Sequence, residues 1–92
     1  MRYERKPSFD RSLKQLPPER KVRITDAIRN LVVFFETKQQ PQGLGLKRLR
    51  SDFWEIRAGL GDRMVFRFRG DLVEFVLVGN HDEIRQFLRS EG

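Results

Sequence analysis

The chain contains no cysteine and only one histidine among its 92 residues. Without cysteine it cannot form disulfides or use thiolate chemistry, and one histidine is too few for a zinc site built from histidine and cysteine. Any catalysis must therefore use this histidine, carboxylates, arginine or lysine. We predict neither a metal site nor a cofactor.

Long apolar segments are missing as well. Residues 1–6 lack the apolar core of a signal peptide, and no run reaches the roughly 20 residues that span a bilayer. The sequence also has no internal repeat, no low-complexity tract and no linker long enough to divide domains. We expect a cytoplasmic protein without a membrane partner, folded as a single domain over residues 1–92.

Positive charge is what the chain has in excess. Nineteen lysines and arginines against thirteen acidic residues give a net charge of +6. This balance favours an anionic partner, which charge alone does not identify: a nucleic acid, a nucleotide or an acidic protein. Because 38% of the residues are hydrophobic and eight are phenylalanine, the chain has enough apolar side chains for a core.

The N-terminal part of the sequence predicts a short strand and two helices. Residues 2–6 alternate weakly and stop before Pro7, which suits an edge strand. Ser8 is placed to cap the first helix, which ends at Pro17, and Pro18 suits the first turn of the second. Apolar residues recur at helical spacing in both: Phe9, Leu13 and Leu16, then Ile24, Ile28, Leu31 and Phe35.

From Phe53 onward the apolar period changes to two, which predicts antiparallel strands over residues 53–58, 63–69 and 72–78. A short terminal helix follows, with Asn80 or Asp82 as its cap. Its apolar residues are Ile84, Phe87 and Leu88. The predicted fold is α+β in the order β-α-α-β-β-β, with an antiparallel sheet, two N-terminal helices packed on one face and a short C-terminal helix.

Two turns set the expected strand register. Residues 70–71 match a two-residue type II′ hairpin loop. The resulting pairs include Arg67 with Glu74, Phe66 with Phe75, Met64 with Leu77 and Arg63 with Val78. A three-residue loop at 59–61 places Arg57 opposite Arg63 and keeps its guanidinium out of the core. One sheet face is then apolar, and the other, rich in arginine, is the candidate working face.

Arg57, Arg63 and His81 are predicted to meet at one end of this polar face. Two opposed arginines repel each other unless an anion lies between them, and arginine suits bidentate phosphate contact. The histidine can transfer a proton near neutral pH. Together these groups suit metal-free cleavage of RNA, in which the 2′-hydroxyl supplies the nucleophile.

Structural roles compete with this interpretation. A lone histidine at a helix start is more often a surface residue than a catalyst. Arginines such as Arg57 and Arg63 more often form surface ion pairs, here with Glu55 and Asp62. The basic segment 47–50 is a weak signal for nucleic acid by itself. The convergence of these residues is what favours an active site.

Longer motifs resemble a known family. They are Leu46-Lys47-Arg48-Leu49-Arg50, then Phe53-Trp54-Glu55-Ile56-Arg57-Ala58-Gly59, Asp62-Arg63-Met64-Val65-Phe66, and Gly79-Asn80-His81-Asp82-Glu83. With the order of elements, they resemble the RelE/ParE toxin superfamily over nearly the whole chain, and its YafQ-like branch most. The resemblance implies the toxin of a type II toxin-antitoxin system: a ribosome-dependent mRNA endonuclease that is metal-independent and inhibited by a cognate antitoxin. Its implied partners are this antitoxin, the ribosome and mRNA.

The resemblance also implies residue roles. His81 matches a general acid, Arg57 a phosphate-binding arginine, and Arg63 the arginine after the glycine turn. The basic residues assigned to substrate binding are Lys47, Arg48, Arg50 and Arg67. The only tyrosine is Tyr3 in the first strand, so the C-terminal tyrosine of some relatives has no counterpart. Glu55, on the polar face, is the candidate general base.

Two other functions remain open on the same fold. A ParE-like toxin would inhibit DNA gyrase without ribonuclease chemistry. A non-catalytic module would bind RNA or an antitoxin and cleave nothing. Fold by itself does not decide among the three.

Overall fold

Prolines determine where the first two helices begin. The computed structural model describes residues 1–39 and 43–91. The elements are β1 (Arg2–Arg5), α1 (Pro7–Lys14), α2 (Pro18–Thr37), β2 (Lys47–Arg48), β3 (Phe53–Ala58), β4 (Asp62–Arg69), β5 (Leu72–Gly79) and α3 (His81–Glu91). Pro7 and Pro18 each open a helix, because their fixed φ suits its first turn. No helix among the described residues combines the length and the hydropathy of a membrane span.

The five strands form one mixed sheet in the order β1-β5-β4-β3-β2. The α+β class is confirmed, but the expected antiparallel sheet is wrong at β1, which pairs in parallel with β5 from Arg2 opposite Leu72 to Arg5 opposite Phe75. The parallel direction carries the chain into α1 beside the last part of β5. Residues 47–48, expected in a basic segment before the sheet, form the additional edge strand β2.

The predicted register is confirmed in part. Arg57 lies opposite Arg63 around the loop 59–61, as expected. Pairing of β4 with β5 follows the prediction as far as Phe66 opposite Phe75 and then shifts at a β-bulge. Beyond it the pairs are Val65 with Leu77, Met64 with Val78 and Arg63 with Gly79. The predicted pairs of Met64 with Leu77 and Arg63 with Val78 are therefore wrong by one residue. Residues 75–78 are all apolar, so alternation could not reveal the extra residue.

The sheet is covered on both faces. On the first face, α1 and α2 pack over a core that includes Phe9, Ile24, Leu31, Ile56, Met64, Phe66, Val73 and Val78. On the second face, α3 packs over a smaller cluster of Phe53, Val65, Val76 and Ile84, with Leu49, Leu77, Phe87 and Leu88 around it. The expectation of a polar working face is thus wrong for its middle part, because apolar side chains alternate with those of the core and need their own cover.

Two serines of α1 bind the backbone of β5 where the bulge occurs. Ser8 Oγ donates a hydrogen bond to the carbonyl of Val76 at 2.6 Å, and the N–H of Val78 donates to Ser12 Oγ at 3.0 Å. The predicted capping role of Ser8 is wrong: the N-cap position belongs to Lys6, and Ser8 lies inside the helix.

Candidate active site

The candidate site lies at the end of the sheet where three strands and α3 meet. Arg57 on β3 is opposite Arg63 on β4, and Arg63 is opposite Gly79 on β5. Because neighbouring strands lie about 4.8 Å apart, the backbone of Arg57 is roughly 10 Å from that of Gly79. His81 follows two residues later as the first residue of α3. The structure therefore brings both arginines and the histidine to one end of the second face.

His81 is presented by a helix whose start is fixed by a capping box. The N–H of Asn80 donates to Glu83 Oε1, and the N–H of Glu83 donates to Asn80 Oδ1, each at 2.9 Å. Of the two predicted caps, Asn80 is the one observed. The His81 side chain is exposed, and within residues 1–39 and 43–91 it has no hydrogen-bond or ion-pair partner. Both ring nitrogens are thus open to a ligand.

Arg57 is held along its aliphatic stem while its charge stays open. The backbone N–H of Arg57 donates to the carbonyl of Leu44 at 3.0 Å. The stem lies so close to Gly45 that a β-carbon added there would be 2.7 Å from Arg57 Cγ. The side chain is exposed and pairs with no carboxylate in the described part of the chain. Its guanidinium is therefore available to bind an anion.

Replacing Gly45 by alanine is expected to displace Arg57. Gly45 has φ +64°, and its added methyl group would collide with Arg57 Cγ and Cδ. Gly43 is the matched control, because it has φ +82° and open space around it. Both changes should cost about 1 kcal/mol of unfolding free energy through backbone strain. Only Gly45→Ala should weaken binding of a short RNA oligonucleotide, measured by fluorescence anisotropy; equal affinities for the two variants would contradict this role.

Arg63 differs from Arg57 because it already has a carboxylate partner. Arg63 Nη1 lies 3.3 Å from Glu55 Oε1. Glu55 is only 4% exposed, and its Oε2 is buried without a hydrogen-bond partner among the described residues. The carboxylate expected to be the general base is therefore enclosed behind an arginine. The competing ion-pair interpretation holds for Arg63 with Glu55.

Asp62 is paired from the other side of the sheet. Arg20 of α2 donates to Asp62 from Nε at 2.8 Å and from Nη2, and these hydrogen bonds raise the pKa of Arg20. Arg23 lies against the same turn, because a β-carbon at Gly59 would be 2.8 Å from its Cδ. Asp62 thus has a structural role at the turn, and its expected ion pair with Arg57 or Arg63 is wrong. Neither the contact of Arg20 nor that of Arg23 was predicted, because no local pattern reveals an interaction between segments as far apart as the 42 residues that separate Arg20 from Asp62.

Arg67 lies outside the cluster at the end of the sheet. It is four residues from Arg63 along β4, about 13 Å away. Its Nε donates to Glu74 Oε1 at 2.9 Å, and its guanidinium lies 5.6 Å from the centre of the Phe53 ring. Glu74 also receives Lys6 at 3.2 Å and Arg69 at 3.0 Å. The guanidinium of Arg67, which was predicted to bind substrate, is thus paired with a carboxylate of the protein itself.

The basic segment divides between the two faces. In β2, Lys47 pairs with Glu55 and Arg48 pairs with Trp54, so their side chains lie on opposite faces. Lys47 is on the second face with Arg57. Arg48 is on the first face, 6.0 Å from the Trp54 ring. Arg50 follows β2 and is exposed. Of these three residues, Lys47 is the one whose strand position puts it beside the arginine pair.

Comparison with known proteins gives structural neighbours only. No protein-family model and no curated protein sequence matches the chain. The toxin–antitoxin complex RelB-RelE from Methanococcus jannaschii matches with a TM-score of 0.67 and 19% identity, over 95% of this chain and 98% of that one. The DinJ-YafQ complex from E. coli gives 0.68 and 14%, over 91% and 98%. The YoeB/ParE toxin from Agrobacterium tumefaciens gives 0.67 and 20%, over 88% and 99%.

The chain therefore has the fold of the RelE-like toxins, as the sequence resemblance implied. In each comparison the match covers most of this chain and nearly all of the matched chain. At identities of 20% or less the likeness establishes the fold. What the chain does must be argued from its own residues.

Proposed function

We propose that this chain is the toxin of a type II toxin-antitoxin pair and cleaves mRNA on the ribosome. The observation that carries the proposal is the open Arg57 charge, opposite Arg63 and at the sheet end where His81 begins α3. Two structural neighbours, RelE and YafQ, were solved as complexes with RelB and DinJ, which supports an antitoxin as partner. Action on ribosomes implies a cytoplasmic location.

The proposed reaction needs no covalent enzyme intermediate. The 2′-oxygen of one nucleotide attacks the adjacent phosphorus, the bond from phosphorus to the 5′-oxygen breaks, and His81 donates the proton that the 5′-oxygen takes up. Arg57 binds the phosphate and stabilises its growing charge, with Arg63 beside it. The products are a 2′,3′-cyclic phosphate and a 5′-hydroxyl.

Glu55 is proposed to position Arg63. Its carboxylate is buried and one oxygen already contacts the guanidinium, so it cannot reach an RNA hydroxyl without moving. The proton of the 2′-hydroxyl is then taken by solvent. Lys47, which is opposite Glu55 in register, is proposed to bind the RNA backbone near the scissile phosphate. Arg50 is proposed to bind it further along the strand.

Translation of a defined message by purified ribosomes tests this function. Primer extension should reveal breaks that need both the ribosome and the protein. Arg57→Ala should reduce them about 10²- to 10³-fold, because a preorganised charge at the phosphate is lost. Arg11→Ala, which removes an exposed arginine of α1, is the matched control and should cleave normally. An intact message at protein concentrations that arrest growing cells would overturn the proposal.

Gyrase inhibition is the second candidate, because one neighbour is named as a YoeB/ParE toxin. It predicts loss of DNA supercoiling by purified gyrase, and toxicity that survives His81→Ala. Non-catalytic RNA or antitoxin binding would leave both message and supercoiling intact. The open charge of Arg57, at the sheet end where His81 begins α3, favours the nuclease over these two alternatives.

Glu55→Gln separates the positioning role from the role of general base. If Glu55 only positions Arg63, the glutamine variant loses this charge pair, and the cleavage rate should fall about tenfold at every pH. A general base would instead contribute an acid limb to the pH–rate profile, which the glutamine variant would lack. Cleavage rates from pH 5 to 9 measure the difference; disappearance of the limb would assign Glu55 to proton transfer.

A further inference from the structure

The two serine contacts of α1 fall at the bulged part of β5. Ser8 and Ser12 are four residues apart, so they share one side of α1, which faces this strand. One hydroxyl binds the carbonyl of Val76 and the other accepts the N–H of Val78. Ser12 also donates to the carbonyl of Phe9 at 3.0 Å, which uses its proton and leaves a lone pair for Val78.

These contacts begin where the neighbouring strand stops. The parallel pairing of β1 with β5 ends at Phe75, and the last backbone bond runs from the N–H of Lys6 to the carbonyl of Phe75 at 2.9 Å. Beyond this residue no strand among residues 1–39 and 43–91 lies beside the outer edge of β5. At the bulge the two serine hydroxyls take the place of a neighbouring strand. The carbonyl of Val76 and the N–H of Val78 are therefore both hydrogen-bonded.

The bulge determines what faces Arg63. In a regular ladder Arg63 would be opposite Val78, with an isopropyl group beside the guanidinium stem. With the bulge it is opposite Gly79, which has no side chain, while Val78 turns into the core of the first face. One extra residue therefore leaves room at the arginine and keeps a valine buried.

The start of α3 also depends on Gly79. A β-carbon at Gly79 would lie 3.1 Å from Glu83 Cβ, so the first turn of α3 packs directly on this glycine. Glu83 belongs to the capping box with Asn80. A shift of β5 by one residue would therefore move the helix start, and His81 with it, by about 3.3 Å.

We infer that Ser8 and Ser12 are positioning residues for His81: they fix the bulge of β5 and thereby the place of the histidine relative to Arg63. The catalytic consequence rests on the proposed function, whereas the placement of the histidine does not. In the described part of the chain, the hydrogen bonds of both serines go to the backbone of Phe9, Val76 and Val78, and none goes to Arg57, Arg63 or His81. They act through the backbone of residues 76–79.

The placement is measured without any cleavage assay. His81 is the only histidine, so its ring gives one Cε1–H correlation peak in an NMR spectrum. In Ser12→Ala, and in Ser8→Ala as a milder second variant, this peak should shift and the Val78 amide should exchange with solvent at least tenfold faster. Ser12→Thr keeps the hydroxyl and should restore both. Ser90→Ala, which removes a similar hydroxyl bond to Phe87 in α3, is the control and should leave the Val78 amide unchanged.

Kinetics on the ribosome give the second readout. Misplacement of a proton donor by a few ångströms should lower kcat about 10- to 100-fold in Ser12→Ala, with KM within twofold, and Ser12→Thr should recover it. Faster exchange of Val78 with an unmoved histidine peak would overturn the inference and leave the serines a purely structural role. Failure of the wild-type chain to cleave would overturn the proposed function, and the histidine peak would still decide the placement.

Discussion

Replacing His81 by alanine is expected to slow message cleavage about 10²- to 10⁴-fold, the range that a positioned general acid contributes. The protein should remain folded, because the side chain is exposed and the capping box is made by Asn80 and Glu83. Single-turnover rates on programmed ribosomes measure the loss, and thermal unfolding checks the fold. Gln86→Ala, an exposed change on the same helix, should cleave at the wild-type rate.

The chemical role of His81 can be separated from a binding role by changing the leaving group. A message with sulfur in place of the scissile 5′-oxygen releases a thiolate, which leaves without a proton. His81→Ala should cleave this substrate at nearly the wild-type rate if the histidine is the acid. An equal loss on both substrates would show that His81 binds RNA and donates no proton.

Glu74→Gln is expected to be the most destabilising single substitution proposed for this chain, at about 3 kcal/mol of unfolding free energy. Glu74 is 3% exposed and pairs with Lys6, Arg67 and Arg69. Without the carboxylate, these cations repel one another with no counter-charge. Glu4→Gln is the control, because Glu4 is opposite Glu74 in register but exposed. Urea unfolding of both variants measures the difference.

The Glu74 contribution should also depend on pH. Burial raises the pKa of Glu74, but hydrogen bonds from Arg67 and Lys6 outweigh it and hold the pKa below its usual 4.5. A carboxyl with a depressed pKa stabilises the fold fully above the unfolded pKa and loses this contribution as pH falls through the folded one. The unfolding free energy of the wild-type protein should therefore decrease as the pH drops below about 4.5, and that of Glu74→Gln should decrease less steeply. Parallel curves for the two proteins would refute the coupling.

The sequence was a good guide wherever a local pattern controls structure. Pro18 opens α2, the loop 59–61 closes one hairpin, and Asn80 caps α3, because each depends on neighbouring residues. These local features were enough to bring Arg57 opposite Arg63. They were also enough to predict the end of the sheet at which His81 emerges.

Contacts between distant segments were the part that the sequence did not reveal. The bulge of β5 depends on hydroxyls 66 and 68 residues away in α1, and an unbroken apolar run gave no sign of it. The pairs of Arg67 with Glu74 and of Arg63 with Glu55 join neighbouring strands and were predicted. The contacts of Lys6 with Glu74 and of Arg20 with Asp62 were not, because any of 19 basic residues satisfies a carboxylate equally well in one dimension. The packing of α3 on the second face was also not predicted. The apolar side of this helix showed that it packs on the protein, but not on which face of the sheet.

The chemistry of the RNA ends tests the central claim most directly. After cleavage on translating ribosomes, the upstream fragment should carry a 2′,3′-cyclic phosphate and the downstream fragment a 5′-hydroxyl, as attack by the 2′-oxygen requires. Both ends can be identified by mass spectrometry of short message fragments. A 3′-hydroxyl with a 5′-phosphate would show that water attacks the phosphorus from the other side, and would contradict the roles given to His81 and Arg57.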